Sequence, residues 1–464
     1  MKLNNLLFIF SMTTILSLGC SKKSESQLFI GNTPIDTTTV VSGIATPWEI
    51  LWGPDNYIWF TERAGKVNRL NPATGSNQLI LTIEDAFEYG EAGLLGMALH
   101  PDFEQSPWVY LVYNYTDGPL IKERLVRYNW NGSQLVDPET LINGIPGNSY
   151  HNGSRLVFGG DGKLYMSTGD AGTTSNSQNM NNLAGKILRI NPDGSIPEDN
   201  PFTGKYIWAL GLRNSQGLVF GPQGYLYGSE HGPNSDDEFN LLETGRNYGW
   251  PTVNGFCNTP EEITFCQANN VREPLYTWTP TLAVAGIDYY GSNAIPEWNG
   301  TVLMTALKAS RLVALKLGAD GQSVEEVTNF FDGTWGRLRD ICISPDGAVY
   351  VAVSNRDGRG TPRPGDDRIV EIKAKNTTGF NRPGSKVPAF NIVPNPVKDE
   401  VLVTGNLLGE QNQYIILDSL GQIAQEGVAT GKEFRIRLNS LKSGYYFMRI
   451  SNQNSSFTEP FVVL

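Results

Sequence analysis

The sequence predicts an all-β chain: a six-bladed β-propeller over residues 41–375, then a small β-sandwich over 390–464. Three observations predict it. A turn rich in Gly, Asn, Asp or Pro, followed by a short apolar-aromatic strand, recurs six times. No helical periodicity of any length competes with that pattern. Charged residues make up only 18% of the chain, while 50 of its 464 residues are glycine, a balance that suits many strands joined by tight turns.

The elements follow in order. The first twenty residues, MKLNNLLFIFSMTTILSLGC, read as a signal peptide: Lys2, an apolar run over 6–18, then Gly19 and Cys20. The run is too short for a comfortable membrane span, and no other segment offers one. The chain is therefore expected to be exported, secreted or held at the cell surface. Cys20 is either lipidated, as in an outer-membrane lipoprotein, or left at a plain cleavage site. Residues 21–40 are polar and lack periodicity, and are expected to form a tether.

The repeat begins after it. Its copies are DNYIWFTE from Asp55, SPWVYLVYN from Ser106, DGKLYMSTGD from Asp161, QGYLYGSE from Gln223, NGTVLMTA from Asn299 and DGAVYVAVS from Asp346. Several run on into a second strand and turn: GKVNRLNPATG, GKILRINPDG, SRLVALKLGADG and DRIVEIKA. The spacing of roughly 50–75 residues is about one four-stranded blade with its loops. Apolar residues alternate along each strand, and the turns hold the glycines that hairpins need. Six blades closed in a ring expose no long edge. Insertions such as 234–277 are expected on one face, where they build a site.

Residues 376–389 are rich in Pro, Gly, Ser and Asn and read as a linker. Beyond it, NIVPNPVKDEVLV, YIILDSLGQIAQEG, FRIRLNSLKSGYYFMRIS and FVVL are strands joined by turns, enough for a sandwich of about 75 residues. This stretch resembles the C-terminal sorting domain of type IX secretion. The residues that carry the likeness are Pro394-Asn395-Pro396, Asp418 with Gly421, Leu441, Gly444-Tyr445-Tyr446-Phe447 and Phe461-Val462. The resemblance implies secretion machinery as a partner.

Charge and cysteine usage narrow the function. The net charge of −11 gives no electrostatic reason to dock on nucleic acid or an anionic membrane. Export permits a disulfide, and Cys257 and Cys266 flank the short loop GFCNTPEEITFC, so they are expected to pair. Cys342, in LRDICISPDG, reads as a buried thiol. No CxxC and no Cys/His spacing for zinc is present.

The chain has three histidines. His151 precedes one strand, and Asp170 ends the next, so a hairpin brings both to one rim. An imidazole held by a carboxylate can take a proton from an alcohol. The same spacing also suits a structural histidine bonded to a turn. Arg213 and Asn214 stand just before another strand. The turn SEHGPNSDDE offers carbonyls and carboxylates to a hard cation such as Ca²⁺, or is a solvated acidic loop. His231 lies in that turn, and His100 is expected to hold a turn of its own. Arg337 and Arg339 lie at i and i+2, on one face of a strand. With Lys308 they suit a multiply anionic ligand, or separate ion pairs. Tyr276 and Trp278 offer either a flat wall or core packing.

Six motifs in order then point to a family: GEAGLLGMALHPDF, HNGSRLVFGGDGKLYMSTGD, GLRNSQGLVF, SEHGPNSDDEFNLLETGRNYGWP, GRLRDICISPDG and DGRGTPRPGDDRIVEI. The chain resembles the soluble quinoprotein glucose and aldose sugar dehydrogenases, the glucose/sorbosone dehydrogenase family. That resemblance implies pyrroloquinoline quinone (PQQ) and Ca²⁺ as cofactors. It also implies oxidation of aldoses at the anomeric carbon to lactones, with electrons passed to an external acceptor. It casts His151 as the base and Asp170 as its orienting carboxylate. Arg213 and Asn214 would bond the quinone carbonyls, with Thr281 as a polar contact. Gly232 and Pro233 would offer main-chain carbonyls to Ca²⁺, and Lys308, Arg337 and Arg339 would face the cofactor's carboxylates. Glu91, Tyr276 and Trp278 would lie near the sugar. Glu91 stands where the glucose enzymes carry a neutral Gln, Val284-Ala285-Gly286 replaces a more usual Pro-Ser-Gly, and Trp278 is one residue out of step. Two other functions fit a propeller: a ligand-binding protein without chemistry, or a Ca²⁺-dependent lactonase-type hydrolase with carboxylates around a central metal.

Overall fold

The computed structural model describes residues 27–375 and, within 390–464, all but 395–396, 406–407, 409, 419–421, 439–440 and 452–455. The expected leader with Cys20, the linker, and Asn395, Pro396 and Gly421 lie outside the described residues. The chain divides into two compact units, 1–377 and 378–464.

Six antiparallel sheets make up the first unit. From inner to outer strand, blade 1 is Pro47–Trp52, Ile58–Glu62, Lys66–Leu70 and Asn77–Thr82. Blade 2 is Leu94–Leu99, Trp108–Asp117, Leu120–Trp130 and Leu135–Pro146. Blade 3 is Gly153–Phe158, Leu164–Thr168, Lys186–Ile190 and Ile207–Leu210. Blade 4 is Ser215–Phe220, Leu226–Glu230, Asp237–Leu242 and Tyr276–Trp278. Blade 5 is Val284–Tyr290, Thr301–Ala306, Arg311–Leu317 and Val324–Phe330. Blade 6 is Leu338–Ile343, Val349–Val353 and Arg368–Ala374, with Thr33–Ser42 as its fourth strand and Leu28–Ile30 beyond. The inner strands neighbour one another in this order, and the sixth returns to the first. The repeated hairpin of the sequence is the middle pair of each blade.

The tether expected over 21–40 is corrected from residue 28 onward. Residues 33–42 pair antiparallel with 368–374 and close the ring with hydrogen bonds. The segment shows no apolar alternation because an outer strand buries little. Its run of Thr37, Thr38, Thr39, Val40 and Val41 is β-branched, which suits a pleated, half-covered strand. One helix, Pro260–Ala268, also departs from the all-strand expectation. Thr259 and Glu262 form a capping box around its first turn, and the Cys257–Cys266 disulfide closes the loop that holds it.

Alternation along the strands explains the packing. Leu164 and Met166 join a cluster with Tyr110 and Leu125 of blade 2. Tyr165, between them, turns to the opposite face and packs with Leu218 and Leu226 of blade 4. Six such clusters fill the six gaps between neighbouring blades. Each blade therefore buries both faces, which is how a ring of thin sheets acquires a core.

At the axis the inner strands approach closely. A side chain on Gly96 would meet the Ser154 carbonyl at 1.8 Å, so blades 2 and 3 touch backbone to backbone there. Arg155, fully buried in blade 3, fills the centre. Its guanidinium pairs with Glu49 of blade 1 at 2.6 Å and Asp340 of blade 6 at 2.8 Å. It donates to the Gln216 carbonyl of blade 4 at 2.8 Å and lies over the Trp48 ring. Burial pushes the Glu49 and Asp340 carboxyls up, against the pull of Arg155.

The second unit stacks two sheets. One holds Asn391–Val393, Glu400–Thr404 and Glu433–Arg437, and the other Ile423–Thr430, Gln411–Asp418, Gly444–Ser451 and Ser456–Val463. Val401, Val403 and Ile436 from the first meet Ile416, Met448, Ile450 and Phe461 from the second in one core, which makes a sandwich.

Arg155→Met should lower the unfolding free energy by about 3–5 kcal/mol, because it leaves two buried carboxylates unpaired; a guanidinium melt measures this. Glu123, at the blade 2–blade 3 interface, is buried and accepts from Ser154 Oγ at 2.7 Å. Burial pushes its carboxyl up to about 8. The folded chain then holds a proton that the unfolded chain releases above its ordinary range, so Glu123 weakens the fold as pH rises toward 8. Glu123→Gln should therefore raise the melting temperature relative to the parent more at pH 9 than at pH 6.

Candidate active site

All six inner strands run the same way, so their first residues gather at one rim with the turns that join second strands to third. Between them lies a cavity of about 520 Å³, the size of a small-molecule site. Glu91, His151, Arg213, Gly232, Pro233, Thr281, Lys308, Arg337 and Arg339 all line it, although they come from blades 2 to 6.

His151 heads the inner strand of blade 3 with a left-handed backbone, φ 59°. That conformation costs an ordinary residue about 1 kcal/mol or more. Two hydrogen bonds hold it: Glu91 Oε2 accepts its N–H at 3.2 Å, and its carbonyl accepts from Ala171 N–H at 3.1 Å. Gly169 allows the close approach, since a Cβ there would meet the His151 carbonyl at 1.9 Å. The ring Nδ1 lies 2.8 Å from Asp170 Oδ1. Asp170 is fully buried, and a carboxylate only accepts, so the shared proton belongs on Nδ1 and Nε2 keeps a free lone pair. The Tyr150 ring meets the imidazole edge-on at 4.7 Å and lines the cavity beside it.

The other two histidines are differently placed. His231 donates from Nε2 to the Val284 carbonyl. Burial, with Arg339 and Arg213 nearby, pushes it down to about 3, so it stays neutral. His100 Nδ1 accepts the Asp102 N–H at 3.2 Å, and so holds a turn away from the cavity.

The cavity is cationic. Arg63, Arg213, Lys308, Arg337, Arg339 and Arg359 face three carboxylates, Glu91, Asp237 and Asp357. Arg337 is already paired with Asp357 at 2.7 Å, and Arg359 with Glu91 at 2.9 Å. Arg339 is buried and touches no carboxylate among the described residues. It donates to Gln216 Oε1 at 2.9 Å, and its Nε has no partner. Burial pushes this guanidinium down to about 10. Among the described residues Lys308, which is exposed, reaches only Thr281 Oγ1, at 3.2 Å. A buried, half-satisfied guanidinium and an unpaired lysine on one wall fit a polyanionic ligand. Asp237 accepts the N–H of Gly232 at 2.9 Å and of Leu282 at 2.7 Å, which folds the turn. Among the described residues no hydrogen bond claims the Gly232 or Pro233 carbonyl, so both remain available to a hard cation.

Some expected residues sit elsewhere. Asn214 does not line the cavity; its amide oxygen accepts from Gly153 N–H at 3.0 Å and from Gln216 at 3.1 Å, and so braces blade 3 against blade 4. Tyr276 and Trp278 lie on the outer strand of blade 4, with ring centroids 4.9 Å apart, packed on the blade 4–blade 5 core. Of the two readings the sequence left open, the structure shows the core packing. Other residues were not singled out by the sequence. Trp250 donates from Nε1 to Asp170 Oδ2 at 3.0 Å, and Glu230 accepts the Arg213 N–H at 3.0 Å while burial pushes its carboxyl up to about 7. A buried carboxylate with one oxygen on a histidine demands a donor for the other, yet sequence alone cannot say which residue supplies it.

Comparison with known proteins places the chain among relatives. Residues 44–361 match the Glucose / Sorbosone dehydrogenase family, and 391–464 the Secretion system C-terminal sorting domain. Over 424 residues the chain is 32% identical to quinoprotein glucose dehydrogenase B of Acinetobacter calcoaceticus, across 72% of this chain and 87% of that protein. The PQQ-bound aldose sugar dehydrogenase of Streptomyces coelicolor superposes with a TM-score of 0.65 at 33% identity, covering 74% of this chain and 98% of that one. The apo aldose sugar dehydrogenase of Escherichia coli gives 0.66 at 28% identity, covering 74% and 100%. Matched over most of its propeller in both sequence and architecture, the chain belongs to the glucose/sorbosone dehydrogenase family and carries a type IX secretion C-terminal sorting domain.

Proposed function

We propose that this protein oxidises aldose sugars at the anomeric carbon to lactones, using PQQ and Ca²⁺, and hands the electrons to an external acceptor. Export to the surface or the medium would follow from its C-terminal domain. One observation carries the reading: an imidazole with a free Nε2 opens onto a cavity where a buried guanidinium lacks an anion. When bound, PQQ with Ca²⁺ would supply a polarised two-electron acceptor.

The chain's own residues do the rest. Arg339 and Lys308 take the ligand's carboxylates, with Arg337 contributing from its pair with Asp357. Arg213 and Thr281 add polar contacts, and Asn214 keeps Arg213's strand in place. Gly232 and Pro233 offer carbonyl oxygens to the metal. His151 Nε2 accepts the proton of the substrate hydroxyl, while Asp170 fixes the ring and stabilises its cationic form. Glu91 and Arg359 present a neutralised pair near the sugar. Arg155 favours this reading over a lactonase, because it already neutralises two of the axial carboxylates, Glu49 and Asp340, that a central metal would need.

Adding PQQ and Ca²⁺ to the apo protein should give an absorbance change that an aldose bleaches, with dye-linked turnover on a panel of aldoses. No spectral change would favour a binding protein, and lactone hydrolysis without PQQ would favour a hydrolase. His151→Gln should keep PQQ bound and lower kcat by about 10²–10⁴-fold; turnover at the parent rate would refute the assigned base. Arg339→Met should weaken PQQ binding by about tenfold or more, the worth of a hydrogen bond to a charged group, measured by titration of the absorbance change.

A further inference from the structure

We propose that Trp250 is a positioning residue: through Asp170 it sets how strongly His151 holds a proton. The proposal rests on the reading of His151 as base and gives a role to a residue at the end of the motif SEHGPNSDDEFNLLETGRNYGWP. Trp250 reaches Asp170 from 80 residues away in sequence, and Asp170 lies between it and the imidazole. The Asp170 carboxylate, fully buried, receives three donors: His151 Nδ1 at 2.8 Å and Gly172 N–H at 2.7 Å on Oδ1, and Trp250 Nε1 at 3.0 Å on Oδ2. The indole is itself held at both main-chain polar groups. The main-chain N–H of Trp250 donates to the Gly211 carbonyl at 3.0 Å, and its main-chain carbonyl accepts from Gln178 at 2.7 Å. On the other side of the ring, the Arg213 guanidinium carbon lies 5.3 Å from the ring centroid. One side chain thus joins the proton-accepting pair to the cation assigned to the cofactor.

The physical consequence is a competition for charge. Each donor to a carboxylate draws off part of its negative charge. With the indole N–H present, Asp170 pulls less strongly on the Nδ1 proton, and His151 is a weaker base than the bare pair would make it. The other groups that face the imidazole are Glu91, on the His151 main-chain N–H, and the Tyr150 edge. Glu91 is neutralised by Arg359. Replacing the Trp250 indole leaves the main-chain Gly172 donor to Asp170 in place.

The test uses the full chain with ¹³C-labelled histidine. Only three histidines exist, so each signal is assigned by a single substitution. His151→Gln assigns the signal. In Trp250→Phe the midpoint of the His151 signal should lie higher than in the parent by about half a pH unit or more, with His100 unmoved. Should the Phe variant fold poorly, β-(3-benzothienyl)alanine at position 250 keeps the shape and replaces the N–H with sulfur, and the same shift is expected. In an Asp170→Asn background either substitution should add no shift. An unchanged His151 midpoint in the folded variants overturns the proposal, as does an equal shift without the Asp170 carboxylate. None of these readouts needs turnover, so their failure is separate from failure of the sugar-oxidation reading. If that reading holds, the acid limb of kcat/KM moves up by the same amount, with KM for the sugar within about twofold of the parent's.

Discussion

Arg155 at the ring axis is the interaction on which the rest depends. Six inner strands converge there, and any ring this narrow must fill its centre or leave a channel. A guanidinium does what an apolar plug cannot. Its planar fork reaches Glu49, Asp340, the Gln216 carbonyl and the Trp48 face at once, so one residue ties blades 1, 3, 4 and 6. Burying these charges is costly and is offset only because every partner is in place. The same contacts set the cavity floor. Gln216, held through its carbonyl, turns its Oε1 to Arg339, and Asp340 follows Arg339 on the same strand. The cation left for a ligand is therefore aimed by the pair that holds the blades together.

That arrangement carries a cost at Arg339. Arg339 is stripped of water without a carboxylate to answer it, and Lys308 has only a hydroxyl. Neither improves the fold, which is the usual sign of groups kept for a ligand. A ligand that satisfies them binds the folded chain alone and stabilises it by mass action. His151 shows the same economy on the opposite wall, where a strained backbone is held by Glu91 and Ala171 so that the ring can meet Asp170.

The propeller was legible because strands buried on both faces must alternate, and the middle hairpin of each blade carries both the alternation and the turn glycines. The ring-closing strand at 33–42 was not, since an outer strand with one covered edge needs no apolar rhythm. The helix at Pro260–Ala268 was missed although Thr259 and Glu262 spell its cap, because its weak apolar pattern gives no period to find. At the site, the pairing of His151 with Asp170 follows from hairpin geometry, as does the shared wall of Arg337 and Arg339. Trp250, Arg359 and the Arg155 cluster are contacts across blades, and no local pattern encodes a partner 80 or more residues away. Tyr276 and Trp278 illustrate the reverse error: aromatic character near a motif says nothing about distance from the axis.

Charge links the site to the whole molecule. The chain carries a net −11, yet its cavity holds six cations against three carboxylates. An acidic exterior discourages polyanions from the general surface, while a concave, low-dielectric wall of like sign concentrates the opposite field at its mouth. The two together select a small, multiply charged anion that fits inside, and disfavour large ones such as nucleic acid that must lie across the exterior. Glu91 refines the selection. It stands next to the imidazole, but Arg359 from the blade 6 turn cancels its charge across the opening. In the proposed reaction a sugar hydroxyl entering there would meet an acceptor and a donor side by side. Behind the ring, Asp170 holds Nδ1 and so fixes which nitrogen faces the mouth.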